Sequence, residues 1–92
     1  MALWTQDQAI DYECACDAIG DMIAIKSEQI EAEINSAQPN QAMIEVLRAE
    51  RHDLAQQRRM LDVSDTLMIR EIRRQYGAII RSWNRQPVDT VH

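Results

Sequence analysis

Between residues 5 and 84 the chain carries one proline, Pro39, and two glycines, Gly20 and Gly77. This scarcity of turn-formers constrains the fold more than any other feature. An all-β sandwich or barrel reverses direction about every 8–12 residues and needs turn residues each time. So few reversals leave room for long helices. Pro39 lies in the one polar, turn-like stretch, residues 36–40 (Ser-Ala-Gln-Pro-Asn). It lacks an amide donor and disfavours helical geometry at Gln38. Asn40 then suits the N-cap of a following helix, or Pro39 its first residue. A connection this short joins antiparallel neighbours. The expectation is an all-α chain: a long antiparallel hairpin with one helix over about 5–35 and a second over about 40–84.

The first arm opens on Thr5-Gln6-Asp7-Gln8, a capping-box pattern. Its large apolar residues, Tyr12, Ile19, Ile23, Ile30 and Ile34, recur at helical spacing along one stripe. The chain is 46% apolar with no Phe, so any core is aliphatic. Gly20 lies on a line of small residues with Cys16, Ala24 and Ser27. Two readings stand there: a neighbouring helix approaches closely, or the glycine is a tolerated defect with a slight kink.

On the second arm, Leu47, Leu54, Leu61 and Met68 repeat every seventh residue. Ile44, Ile72 and Ile79 mark a second line, interrupted by Arg51, Arg58 and Asp65. This is incomplete coiled-coil periodicity. Residues 62–66 (Asp-Val-Ser-Asp-Thr) are each roughly half a kcal/mol less favourable in a helix than Ala. No Gly or Pro stands there, and the heptad line runs across. A continuous or merely kinked helix is expected, with a break near 62–65 as the alternative. Pro87 stops the arm near Asn84. Residues 1–86 then form one domain, and 87–92 a loose tail.

Charge fixes how the arms meet. Residues 1–36 carry eight acids and one base, Lys26; residues 37–92 carry nine arginines and seven acids. Folding about Gln38 sets Lys26 opposite Glu50 and Glu28 opposite Arg48. Asp17 and Asp21 then oppose Arg51, Arg58 and Arg59. The expected seam is Ile23, Leu47, Leu54, Leu61 and Met68. The arms are unequal, so Ile72, Tyr76, Ile79, Ile80 and Trp83 find no partner on the first arm beyond Leu3 and Trp4. A two-helix hairpin cannot enclose a core by itself. Residues 65–84 folding back, a second copy, or another protein would each cover that face. Symmetric self-association is the commonest solution, so a homodimer through this face is the expectation.

Several function classes lack their residues. Cys14 and Cys16 stand two apart and leave a helix on nearly opposite sides. Zinc takes about four ligands, and His52 and His92 are the only histidines. The Glu-x-x-His pairs of di-iron bundles are absent, because Ala49 and Asp89 precede the two histidines. There is no glycine-rich phosphate loop and no serine-nucleophile motif. No basic start followed by an apolar signal core is visible, and no apolar run suits a membrane span. A cytoplasmic setting with free thiols is expected. The reading is a non-enzymatic protein-interaction module without cofactor, membrane contact or small-molecule substrate. The alternative is a nucleic-acid-binding accessory protein using Arg70, Arg73, Arg74 and Arg81. The net charge of −5 and the lack of a recognition-helix turn weigh against it.

Overall fold

A computed structural model describes residues 5–85. Three helices follow one another, α1 (Gln6–Ile34), α2 (Gln41–Met60) and α3 (Thr66–Asn84), with no strand among the described residues. Leu3, Trp4 and the tail 87–92 lie outside the described residues.

α1 starts at the capping box. The Gln8 amide donates to Thr5 Oγ1 at 3.1 Å, and the Thr5 amide donates to Gln8 Oε1 at 2.8 Å. Two amides that a helix start leaves unpaired are thereby satisfied. At the other end Glu33 holds the turn together. Its carbonyl accepts from the Ser36 hydroxyl at 2.8 Å, and its carboxylate accepts from the Asn40 amide at 2.9 Å. Asn40 caps α2, its Oδ1 accepting from the Met43 amide at 3.1 Å.

The single second helix over 40–84 is corrected to two helices. α2 ends at Met60, and Leu61 is extended, with φ −69° and ψ 130°. The Asp62 carboxylate accepts from the Ser64 amide at 3.0 Å and from the Ser64 hydroxyl. The Asp65 amide donates to the Asp62 carbonyl at 3.0 Å. Short polar side chains offer the backbone local partners that compete with the helical ladder, so neither Gly nor Pro is needed. The break is repaid by burial. Folding back encloses Ile69 and Ile72, each worth about 1.5–3 kcal/mol. Leu61 points into the core from the turn, but Met68, expected in the same seam, is 50% exposed. The heptad register does not survive the break.

α1 is the central helix. α2 returns antiparallel along one side, and α3 runs parallel to α1 along another. Arg73 meets Asp11 near one end of α1, and Ile80 and Trp83 stand beside Ile25 further along it. No Cα of α2 comes within 8 Å of a Cα of α3, which gives a flat array of 57 × 30 × 17 Å. The main core joins Ala15, Ile19, Met22 and Ile25 of α1 to Leu54, Leu61, Ile69 and Ile72, with Ile19 wholly enclosed. Ile30, Ile44 and Leu47 form a smaller cluster towards the 36–40 turn.

Lys26 Nζ lies 2.9 Å from Glu50 Oε1, the register the charge pattern implies. Arg51 donates to Ser27 Oγ at 3.0 Å, and the Arg58 guanidinium lies over Gly20. Gly20 and Ser27 of the small-residue line are therefore where arginine side chains of α2 cross α1, whereas Ala24 lines a depression on the α3 side. The other expected pairs are corrected: among the described residues the ion pairs are Lys26–Glu50, Asp11–Arg73 and Glu71–Arg74. Asp21 and Glu28 instead line a shallow depression with Ile80, Trp83 and Asn84, because they lie on the α3 side of α1.

Candidate functional site

Five residues of α3, Met68, Ile72, Tyr76, Ile79 and Trp83, recur at spacings of four, four, three and four and so share a helical stripe. The stripe runs along the border between core and surface. Ile72, expected on an open binding face, is only 3% exposed and belongs to the core. Tyr76, Ile80 and Trp83 are half-buried against the same core. This corrects the open five-residue face, since α1 supplies from within the chain the cover that a second copy was expected to bring. Ile79, at 46%, stays open.

Because α2 and α3 splay apart, a groove of ≈380 Å³ lies between them over α1. Met22 and Leu54 give it an apolar floor. Tyr76 Oη donates to Gln57 Oε1 at 2.8 Å, tying the two walls together. On the rim stand the Lys26–Glu50 pair and Asp53. The walls continue this surface. Val46, Asp53 and Met60 fall at seven-residue intervals on α2, so Val46 and Met60 flank Asp53 on its own line. Both are exposed, Met60 at 78%. On α3, Met68 and Ile79 are exposed as well. Sequence reasoning missed Met22, Val46, Asp53, Gln57 and Met60 as a set. The heptad line through Val46, Asp53 and Met60 was the available signal, but nothing in it tells that α3 comes to lie across from α2.

The arginines form a second feature on another face of α3. A cleft of ≈330 Å³ is lined by Arg70, Arg73, Arg74 and Arg81 together with Asp11. Two of the four are answered: Arg73 Nη1 lies 2.6 Å from Asp11 Oδ1, and Arg74 pairs with Glu71. Hydrogen bonding from Arg74 holds the Glu71 carboxyl below its ordinary value. Arg70 and Arg81 are exposed and make no ion pair among the described residues.

The thiols part company. Cys14 is exposed, whereas Cys16 is half-buried against the core. The Tyr12 phenol is held above its ordinary value, first by its hydrogen bond with Cys16. Among the described residues no three His, Cys, Asp or Glu side chains converge to hold an ion, and His52 is exposed. No described helix is long and apolar enough to cross a membrane. Compared with protein-family models, curated proteins and solved structures, the chain matches none.

Proposed function

We propose that the protein is a non-enzymatic protein-interaction module that receives an α-helix in the groove between α2 and α3. One observation carries the reading. The groove between α2 and α3 is floored by buried Met22 and Leu54, and the two helices that wall it carry exposed Val46, Met60, Met68 and Ile79, where a bundle would have its fourth helix. An amphipathic helix laid in such a groove buries its apolar stripe against both walls. A second copy of the chain is one occupant to test, because symmetric dimers are the commonest oligomers. A cytoplasmic setting, with Cys14 and Cys16 kept as thiols, goes with this reading.

The test is Ile79→Asp beside Arg81→Ala. Solution mass is followed by light scattering over a dilution series, and binding of an amphipathic helical peptide by anisotropy. Ile79→Asp is expected to weaken assembly or peptide binding by at least about tenfold, the effect of placing a charge in an apolar contact. Arg81→Ala should leave both intact. If Ile79→Asp alters neither, the groove is not the binding surface.

One observation favours a second reading. Arg70 and Arg81, without ion pairs among the described residues, share a cleft with Arg73 and Arg74, and aligned arginines suit a phosphate backbone. Binding to duplex DNA should then weaken steeply with salt, fall when Arg70→Ala and Arg81→Ala are combined, and be lost when Arg73→Ala and Arg74→Ala are added. No mobility shift at low salt removes this reading.

A further inference from the structure

We infer that the helix received by the groove belongs to a different protein and is basic, with lysines or arginines flanking an apolar stripe. This rests on the groove reading above and adds the charge of the partner. The groove-lining residues of α2 run from Glu50 to Gln57. At 1.5 Å per residue this is about 10 Å, or roughly two turns of a docked helix. Met22, Leu54 and Tyr76 offer apolar contacts along that length, and exposed Met60 on α2 and Ile79 on α3 lie on the helices that wall it.

The rim between them is acidic. Asp53 is exposed and makes no ion pair among the described residues. Glu50, three residues before it, keeps a side chain 49% exposed although it pairs with Lys26. Lys26 is the single base lining the groove, and that pairing already engages it. An approaching helix therefore meets uncompensated carboxylate charge beside an apolar floor, and complementary charge selects the partner. A second copy answers this poorly. A twofold contact through the groove brings Glu50 and Asp53 of both copies into one interface, where like charges repel. The arginines that would offset them, Arg70 and Arg81, line a cleft on another face of α3.

Two labelled peptides of about four turns test this on the full chain. Both carry leucines at alternating spacings of three and four; one has lysines on the flanks and the other glutamates. The lysine peptide is expected to bind at least about tenfold more tightly. Asp53→Lys should abolish that preference, and Ile79→Asp should abolish binding of both peptides. Lysine-peptide binding that survives Ile79→Asp reflects only the net charge of −5 and overturns the inference. Equal binding of the two peptides, lowered by Ile79→Asp, overturns the charge inference but leaves the groove reading standing. So does a dimer that Ile79→Asp dissociates, because the occupant is then a second copy. If neither peptide binds and Ile79→Asp leaves the solution mass unchanged, both the inference and the groove reading fail.

Discussion

Replacing Gly20 with alanine separates two accounts of the small-residue line on α1. Gly20 sits mid-helix, where glycine costs about 0.8–1.0 kcal/mol relative to alanine. If α2 needed the missing side chain in order to approach, a methyl group there would clash and the helix gain would be lost. The structure gives the distance: a Cβ at Gly20 would stand 3.5 Å from Arg58 Nη1 and 3.9 Å from Arg58 Cζ. Both are ordinary van der Waals separations, and the neighbour is the far end of a flexible side chain. The steric debit is therefore close to zero, and Gly20→Ala should stabilise the fold by about 0.8–1 kcal/mol. For a domain of this size each kcal/mol moves Tm by about 4–8 °C, so thermal unfolding followed by circular dichroism resolves the effect. Repeating the substitution in an Arg58→Ala background checks the contact itself, since the two gains should agree within about 0.5 kcal/mol. A Tm that stays level or falls, with the gain recovered only when Arg58 is also shortened, would refute the reasoning. Gly20 would then be required by the crossing.

Three further outcomes follow from the packing and the turn. Ile19 is wholly enclosed, so Ile19→Ala should cost about 2–5 kcal/mol, read from the urea midpoint at unchanged slope. A loss under about 1 kcal/mol would mean the α1 core is not packed as described. Hydrogen bonds from Ser64 hold the Asp62 carboxyl below its ordinary value. A carboxylate depressed on folding adds stability that is fully present above its unfolded value and is lost as pH falls through its folded value. Wild type should therefore exceed Asp62→Asn in Tm at neutral pH, and the gap should close on acidification; a gap independent of pH would show that this carboxylate does not anchor the turn. Asp11 and Arg73 are each about half exposed, so Asp11→Ala should cost no more than about 1 kcal/mol, less at high salt. A larger, salt-insensitive loss would place the pair in a buried setting.

Much of the local structure was legible because it depends on neighbours in sequence. Thr5 and Gln8 announce the start of α1 whatever packs above them, and Asn40 after Pro39 announces α2. The Lys26–Glu50 contact was legible too, since a short linker and an almost uniformly acidic first arm allow few alignments. A further line, Ala15, Ala18, Met22 and Ile25, widens the apolar face of α1 beyond what one neighbour can cover. It implies a second helix against α1 without saying which.

The candidate site was harder to read. Its residues come from three helices, and Asp53 or Met60 taken singly is an ordinary surface residue. At residues 61–65 the propensities differ from good helix by only fractions of a kcal/mol per residue. Local preference alone leaves a kink and a break nearly balanced. The balance is tipped by Ile69 and Ile72, whose burial against α1 is a gain between residues some fifty positions apart. The sequence by itself determined three things: the helical class, the two caps and the register of the first hairpin. Only the tertiary structure decided that the second arm divides, that Ile72 is core while Ile79 is surface, and that α2 and α3 leave a groove. Capping and periodicity are energies of adjacent residues, whereas the groove depends on where whole helices come to rest.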